Sequence, residues 1–372
     1  MLIGIDAHNL EGKRTGVGRY VFNLLNEWSK ADSGVRFILY FKNEIPADVP
    51  KSNNFEYRLL KIGSTAKFMN WDLGRAAKQD RVDILFCPDY RAPIGYQGKT
   101  AITLHDISYE ARPEDFNWPS LADKILLKWA SKKTAQKAAI IFTPSEFSRQ
   151  EIIKHYALDP EKIIVTPLAV SPFLSGVAGQ ADEVKEKYGL KNEFGFFVGS
   201  MFTRRHLAQV IAAFEEIAKE NKSQLLLGGK DYTSGLSVEK LIKKTNERLG
   251  RQAILQVDFI GDEELKLLYS ACAFFIWLSD YEGFGLPVLE AMSLGAPVIT
   301  TDGSSLGEVA GEAALLIKDN KNIKEIWRAM NKILRDKALR EDLSVKGKKQ
   351  ADNFSWAICA AKTLKYLTAN NE

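Results

Sequence analysis

The chain has 372 residues, 45% of them hydrophobic and 26% charged, which excludes collagenous, low-complexity and disordered classes. Its 51 Lys and Arg against 47 Asp and Glu leave a net charge of +4, too even for a nucleic-acid binder with a concentrated basic face, so no nucleic-acid partner is expected. Three scattered cysteines, Cys87, Cys272 and Cys359, give no disulfide framework and fit a reducing compartment. The N-terminus runs straight into an apolar strand-like segment without a basic leader, and no apolar run approaches the ~18 residues of a membrane span. The expected location is the cytoplasm, with peripheral contact at the inner face of a membrane left open.

In chain order, short continuous apolar runs fall at 2–6, 37–41, 84–86, 101–104, 140–143 and 163–166. Continuous rather than alternating runs read as strands buried on both faces, as in parallel sheets. Helical patterns at 17–30 and 121–138 lie between them, and this βαβα order predicts a doubly wound α/β domain. Residues 167–193 are irregular and carry Pro167, Pro172, Gly176 and Gly179. A second series then begins, with strands at 194–198, 224–227, 257–260, 274–277, 297–300 and 314–317. Leu207, Val210, Ile211, Phe214, Ile217 and Ala218 share one helical face. The expected organisation is two Rossmann-like domains, 1–170 and 190–354, joined by a linker at 171–189. In such sheets ligands bind at the carboxyl ends of the strands, so the expected site is a cleft that the two domains face.

The strongest motif is Asp280-Tyr-Glu282-Gly283-Phe284-Gly285-Leu286-Pro-Val-Leu-Glu290. A buried strand runs into a loop with two glycines, and Pro287 falls where a helix should start, at its first position. Glycines let backbone N–H groups approach a ligand, and a helix N-terminus suits phosphate. Glu282 and Glu290 are placed to accept hydrogen bonds from sugar or ribose hydroxyls.

This motif, with Gly295-Ala-Pro-Val-Ile-Thr and Gly307-Glu-Val-Ala-Gly-Glu after it, resembles the donor-site signature of retaining glycosyltransferases of the GT-B fold, family 4. The resemblance runs along nearly the whole chain and is strongest in its second half. It implies that Glu282 lies by the transferred sugar and Glu290 holds the nucleotide ribose. It also implies that the C-terminal helix, about 355–372, crosses back to the first domain.

A second segment, Phe197-Val-Gly199-Ser200-Met-Phe-Thr-Arg204-Arg205-His206, places a glycine and two arginines between a strand and a helix. Two arginines opening a helix oppose its dipole, so a bound anion would relieve a conflict. The segment resembles the family's Arg-Lys pair that binds the donor diphosphate, with Arg205 in the lysine's place. Some members carry an arginine where this chain has Ser200, so the phosphate would depend more on Arg204 and Arg205.

Thr15-Gly16-Val17-Gly18-Arg19-Tyr20 only partly matches a dinucleotide fingerprint, because the third glycine position is Val21. In the family a similar loop lies near the donor phosphates and the acceptor, which makes Gly16 a binding candidate. His105-Asp106 ends an apolar run and resembles the family's His-Asp pair, whose histidine contacts the donor sugar. His8 is a weaker acceptor-side candidate. Thr143-Pro-Ser145-Glu-Phe-Ser148 reads as strand, turn and helix, with Ser145 as N-cap. The helix around Lys124, Lys128, Lys132 and Lys133 carries Leu126, Leu127 and Trp129. It reads either as a solvated face or as a basic amphipathic helix on anionic lipid through 124–133. No Asp-x-Asp motif and no metal-ligand spacing are present, so no metal and no permanently bound cofactor are expected.

The resulting expectation is a metal-independent retaining hexosyltransferase. Its donor would be a nucleotide diphosphate sugar, with GDP-mannose foremost, and its acceptor a glycan or lipid-linked saccharide. His105, Glu282, Arg204 and Arg205 are the expected catalytic residues. The expected donor-binding set is Gly16, Gly199, Arg204, Arg205, Glu282, Gly283, Phe284, Gly285, Leu286 and Glu290. Domain closure would exclude water from the reaction. Two readings share the fold: a nucleotide-sugar 2-epimerase, for which no acid/base carboxylates were located, and a silent scaffold, in which the glutamates and arginines should have decayed. A dehydrogenase is poorly served by the incomplete fingerprint.

Overall fold

The structure is a computed structural model that describes residues 1–14, 16–31, 34–115, 118, 120–171, 181–233 and 237–369. Thr15 of the glycine loop, residues 172–180 of the expected linker and the last three residues lie outside the described residues. The chain forms two compact units, one of Met1–Leu168 with Ser355–Glu372 and the other of Ala169–Phe354.

The first unit is built on a seven-stranded sheet: β1 (Leu2–Asp6), β2 (Arg36–Phe41), β3 (Phe55–Leu59), β4 (Ile84–Cys87), β5 (Thr100–Thr103), β6 (Ile140–Thr143) and β7 (Ile163–Val165). The strand order is β3-β2-β1-β4-β5-β6-β7 and every pairing is parallel. Strands β4, β5 and β6 are buried throughout, as their continuous apolar runs require. The edge strand β3 was not anticipated. Its Phe-Glu-Tyr-Arg-Leu alternates because only one face is covered. The helix Gly16–Trp28 buries Tyr20, Val21, Leu24, Leu25 and Trp28. It packs against the C-terminal helix Trp356–Ala369, where Trp28 Nε1 donates to the Ala360 carbonyl at 2.9 Å.

The second unit has a six-stranded parallel sheet: β8 (Phe194–Val198), β9 (Gln224–Gly228), β10 (Ile254–Val257), β11 (Phe274–Trp277), β12 (Val298–Thr301) and β13 (Ala314–Ile317). Its order is β10-β9-β8-β11-β12-β13. The expected strand at 257–260 is displaced three residues earlier. Ile254 to Val257 pair in register with Leu225 to Gly228, and Phe259 lies beyond the sheet, exposed. The amphipathic face from Leu207 to Ala218 is buried as the periodicity requires. In both sheets the order reverses beside the first strand, between β1 and β4 and between β8 and β11. Chains leave that point toward opposite faces and open a crevice at the carboxyl ends.

Candidate active site

In the second unit the crevice is built by the segments that leave β8 and β11. After β8 the chain passes Gly199, whose φ is +144° and whose Cβ, if it had one, would lie 2.7 Å from Trp277 Cη2. Only glycine lets the strand end pass the indole. Thr203–Arg205 then form a single tight turn, and His206 in the left-handed region (φ 53°) precedes the helix Leu207–Glu220. The two arginines therefore do not open the helix. The left-handed His206 separates them from its first turn, and the expected conflict with the helix dipole does not arise.

Arg205 is only 7% exposed. Its guanidinium lies 3.7 Å from the centroid of the Trp277 ring, and its Nη1 is 2.6 Å from Glu282 Oε1. Burial pushes the Arg205 pKa down to about 10, with Glu282 opposing and the neighbouring Arg204 adding to the fall. The group stays cationic at neutral pH. The contact with Glu282 lacks the alignment of a hydrogen bond, and Arg205 Nε and Nη1 and Glu282 Oε1 have no hydrogen-bond partner. Donors and an acceptor are thus held in a dry site, where each lost hydrogen bond costs about 1–3 kcal/mol and a polar ligand would recover it. Arg204 stacks over Phe202 at 4.5 Å, and its carbonyl accepts from the Asp280 N–H at 3.1 Å, tying the arginine turn to the segment after β11.

That segment runs through Glu282, Gly283 and Phe284 to Gly285, which caps the helix Leu286–Ser293 with φ +106°. A Cβ on Gly285 would stand 2.6 Å from Leu306 Cδ2. Leu286 is the first helical residue, so Pro287 is second, not first as expected; in the first helical turn the missing proline N–H costs no intrahelical bond. One helical turn on, Glu290 accepts from the fully buried Tyr269 hydroxyl at 3.3 Å, and burial, with Glu290 beside it, raises that phenol's pKa. Gly199, Arg205, Glu282, the Gly283–Leu286 turn and Glu290 thus all belong to the carboxyl end of one sheet.

Sequence reading missed the residues that brace this arrangement. His206 Nε2 is 2.6 Å from Asp280 Oδ1, which also accepts from Asn320 at 3.1 Å; Asn320 in turn accepts from Thr301 at 2.9 Å. Ser305 donates to the carbonyls of Glu282 and Phe284 at 2.8 and 2.9 Å and fixes the glycine turn from below. Trp277 supplies the floor under Arg205. Gly303-Ser-Ser305-Leu-Gly307 has the spelling of a Gly-x-Ser-x-Gly nucleophile elbow, yet Ser305 is fully buried and committed to those two carbonyls, so it is structural.

In the first unit His105 lies two residues beyond β5, donates from Nε2 to the Pro88 carbonyl at 3.3 Å and meets Tyr20 edge-on at 4.9 Å. Burial lowers its pKa, against the smaller opposing pull of Asp89. Asp106 accepts from the Ser108 N–H and hydroxyl at 2.8 and 2.6 Å. His8 sits 2.6 Å from the fully buried Asp6. Burial pulls the His8 pKa down, but Asp6 outweighs it and the net shift is upward. Gly16 is not in a loop before the helix; it is the helix's exposed first residue. Ser145 caps Glu146–Tyr156, accepting from the Ser148 N–H at 3.0 Å.

Two parallel sheets, each reversing beside its first strand, are the two-domain architecture of the GT-B fold. Residues 180–350 match the family model for glycosyl transferases group 1, and residues 14–172 match the model for glycosyltransferase family 4. The chain belongs to this glycosyltransferase family. It is 28% identical over 373 residues to the O-antigen chain mannosyltransferase B of Escherichia coli, covering 94% of this chain and 95% of that one. It is also 28% identical over 270 residues to the Escherichia coli serotype-specific mannosyltransferase WbdA, covering 70% of this chain but only 32% of that longer protein. The fold matches that of the Anabaena protein HepE, solved in complex with UDP-glucose, with a TM-score of 0.72, 15% identity and 99% of both chains covered.

Proposed function

We propose that this glycosyltransferase moves a hexose, mannose foremost, from a nucleoside diphosphate sugar to a hydroxyl of a glycan or lipid-linked saccharide, with retention of configuration and without a metal. GDP-mannose is the favoured donor because the relatives named above are mannosyltransferases. One observation carries the reading: a buried arginine with unpartnered N–H groups stands against Glu282 beside a glycine turn that opens a helix. Arg204 and Arg205 would hold the diphosphate, with the N–H groups of Gly283–Leu286 beside them. Glu282 would accept from a sugar hydroxyl and Glu290 from the ribose. His105, Gly16 and His8 belong to the first unit, and we assign His105 to the donor sugar and His8 to the acceptor side.

In the proposed step the acceptor oxygen bonds to the anomeric carbon on the face the phosphate leaves. The carbon–oxygen bond to the diphosphate breaks, and the acceptor proton passes to the departing phosphate oxygen. Negative charge grows on that oxygen, and fixed cations in a water-poor site stabilise it without reorganising. The charge a metal would bring is here brought by the two arginines.

The test is thermal stability against nucleoside diphosphates and their sugars, with and without Mg²⁺. A ligand at about 100 times its Kd adds about 2.7 kcal/mol. A shift with one nucleoside family, indifferent to Mg²⁺ and abolished in Arg205→Ala, is expected. Folded protein that shifts with none of them overturns the reading.

We also propose peripheral contact with an anionic membrane through 124–133. No helix among the described residues is long and apolar enough to cross a membrane. In support of surface contact, the helix Leu121–Lys137 exposes Leu121, Ile125, Leu126 and Trp129 while burying Ser131, Thr134 and Ala135. Lys124, Lys132 and Lys133 stand among the exposed apolar groups. Co-sedimentation with phosphatidylglycerol vesicles but not phosphatidylcholine vesicles, reduced in Trp129→Ala, is the expected result.

A further inference from the structure

The first unit carries a groove of about 910 Å³ that shares no residue with the crevice described above. One wall is the helical stretch 65–79. The other is the strap of residues 88–99 that leads from β4 to β5 without a helix. Lys67, Trp71, Arg75 and Lys78 follow one another at helical spacing and share a face, and Arg81 completes the row. These four cations make no ion pair among the described residues, and Asp72 is the one acid on the lining. Four positive groups against the single carboxylate of Asp72 leave the lining with an excess of positive charge, which attracts anions.

Three further observations narrow the ligand. Trp71 is 70% exposed at the groove, an unusual place for an indole unless a partner covers it. The chain winds there as a π turn over Phe68–Asp72, with the Leu73 N–H reaching the Phe68 carbonyl, a winding found often at functional sites. Asp72 Oδ2 is buried and accepts no hydrogen bond, so it lacks an O–H or N–H donor. Val82, Pro93 and Tyr96 add an apolar floor. The strap is anchored where Lys137 Nζ donates to the Ile94 carbonyl at 2.5 Å.

We propose that this groove binds the phosphorylated head of an amphiphile. The phosphate meets the cation row, a head-group hydroxyl donates to Asp72 Oδ2, and the apolar part lies across Trp71 and the floor. The assignment is independent of the donor-site reading, because no residue is shared between them.

The test uses the full chain labelled with ¹⁵N at its 7 tryptophans, which report as separate indole resonances. Trp71→Phe and Trp277→Phe identify the peaks of the groove and of the donor crevice. The probes are dihexanoyl phosphatidic acid below its micelle concentration, dihexanoyl phosphatidylcholine and inorganic phosphate. Phosphatidic acid is expected to move the Trp71 peak while the Trp277 peak stays still. Arg75→Ala with Lys78→Ala should weaken that binding by about tenfold, the scale of a lost charge-assisted hydrogen bond. The other indole peaks certify the fold, and Arg75→Lys should retain most of the affinity. Equal response to inorganic phosphate overturns the amphiphile and leaves a simple phosphate site. No movement of Trp71 with any probe, movement of Trp277 alone, or an unchanged affinity in the double variant overturns the groove as a site.

Discussion

At the carboxyl rim of the first sheet two histidines stand among aspartates, with Arg91 near them: His8 on Asp6, and His105 near Asp89 and Asp106. The rim of the second sheet has one such pair, His206 on Asp280, and adds Arg204, Arg205, Glu282 and Glu290. Both rims arise from the same topology, a parallel sheet reversing beside its first strand. The difference lies in what the segments after the strands bring. Permanent positive charge in a buried site suits a diphosphate, and imidazoles, which can donate or accept a proton, suit hydroxyl groups. One architecture used twice thus yields two chemically distinct rims.

The largest expected effect falls on the charged rim. Arg205→Ala should lower kcat/KM by about 10- to 150-fold, the equivalent of about 1.5–3 kcal/mol for a hydrogen bond to a charged group. Arg205→Lys should not restore it, because an ammonium offers neither the planar stack on Trp277 nor the fork of donors. Steady-state kinetics with the donor found in the stability screen decides this, and wild-type rates in either variant would break the comparison.

Glu282→Gln sharpens it. Removing one partner of a buried pair leaves Arg205 uncompensated and should lower the melting temperature of the free protein. A nucleoside diphosphate then restores the missing charge, so the ligand-induced shift in melting temperature should be larger than in wild type even as transfer falls. An equal or smaller shift would mean that Glu282 does not compete with the diphosphate for Arg205.

Gly285→Ala should cost about 1–3 kcal/mol in urea unfolding, from strain at a left-handed φ, with the contact on Leu306 added to it. Wild-type stability would remove the structural reason for glycine there.

On the titrating rim the two histidines should respond to pH with opposite sign. His8 has a folded pKa above its free value, so its contribution is complete below about pH 6.5 and fades as pH rises through the folded value. His8→Asn should therefore destabilise more at about pH 5.5 than at about pH 8. His105 has a folded pKa below its free value, so the unfolded chain binds more protons and wild-type stability rises with pH through that window. His105→Asn should lose less stability at about pH 5.5 than at about pH 8. Urea melts at both pH values test the signs, and parallel responses would refute the distinction.

The smallest effect is expected at Ser145→Ala, about 1 kcal/mol for a lost helix cap.

Much of this was legible in the residues alone. The continuous apolar runs announced buried parallel strands, because a strand covered on both faces has no polar side to alternate with. Glu282, Gly285 and Glu290 could be singled out because strand, glycine turn and helix follow one another locally, and so does the Gly199 to Arg205 segment. Local spacing did not reveal β3, whose one covered face depends on its place at the sheet edge, or the register that moves β10 to Ile254–Val257. Nor did it reveal that Arg205 lies on Trp277 against Glu282, residues separated by the whole of β9 and β10 and the helices between them. Sequence determines which side chains a segment carries and the period with which it turns. Only the assembled sheet, by bringing the ends of β8 and β11 side by side, decides which charges meet and which are stripped of water.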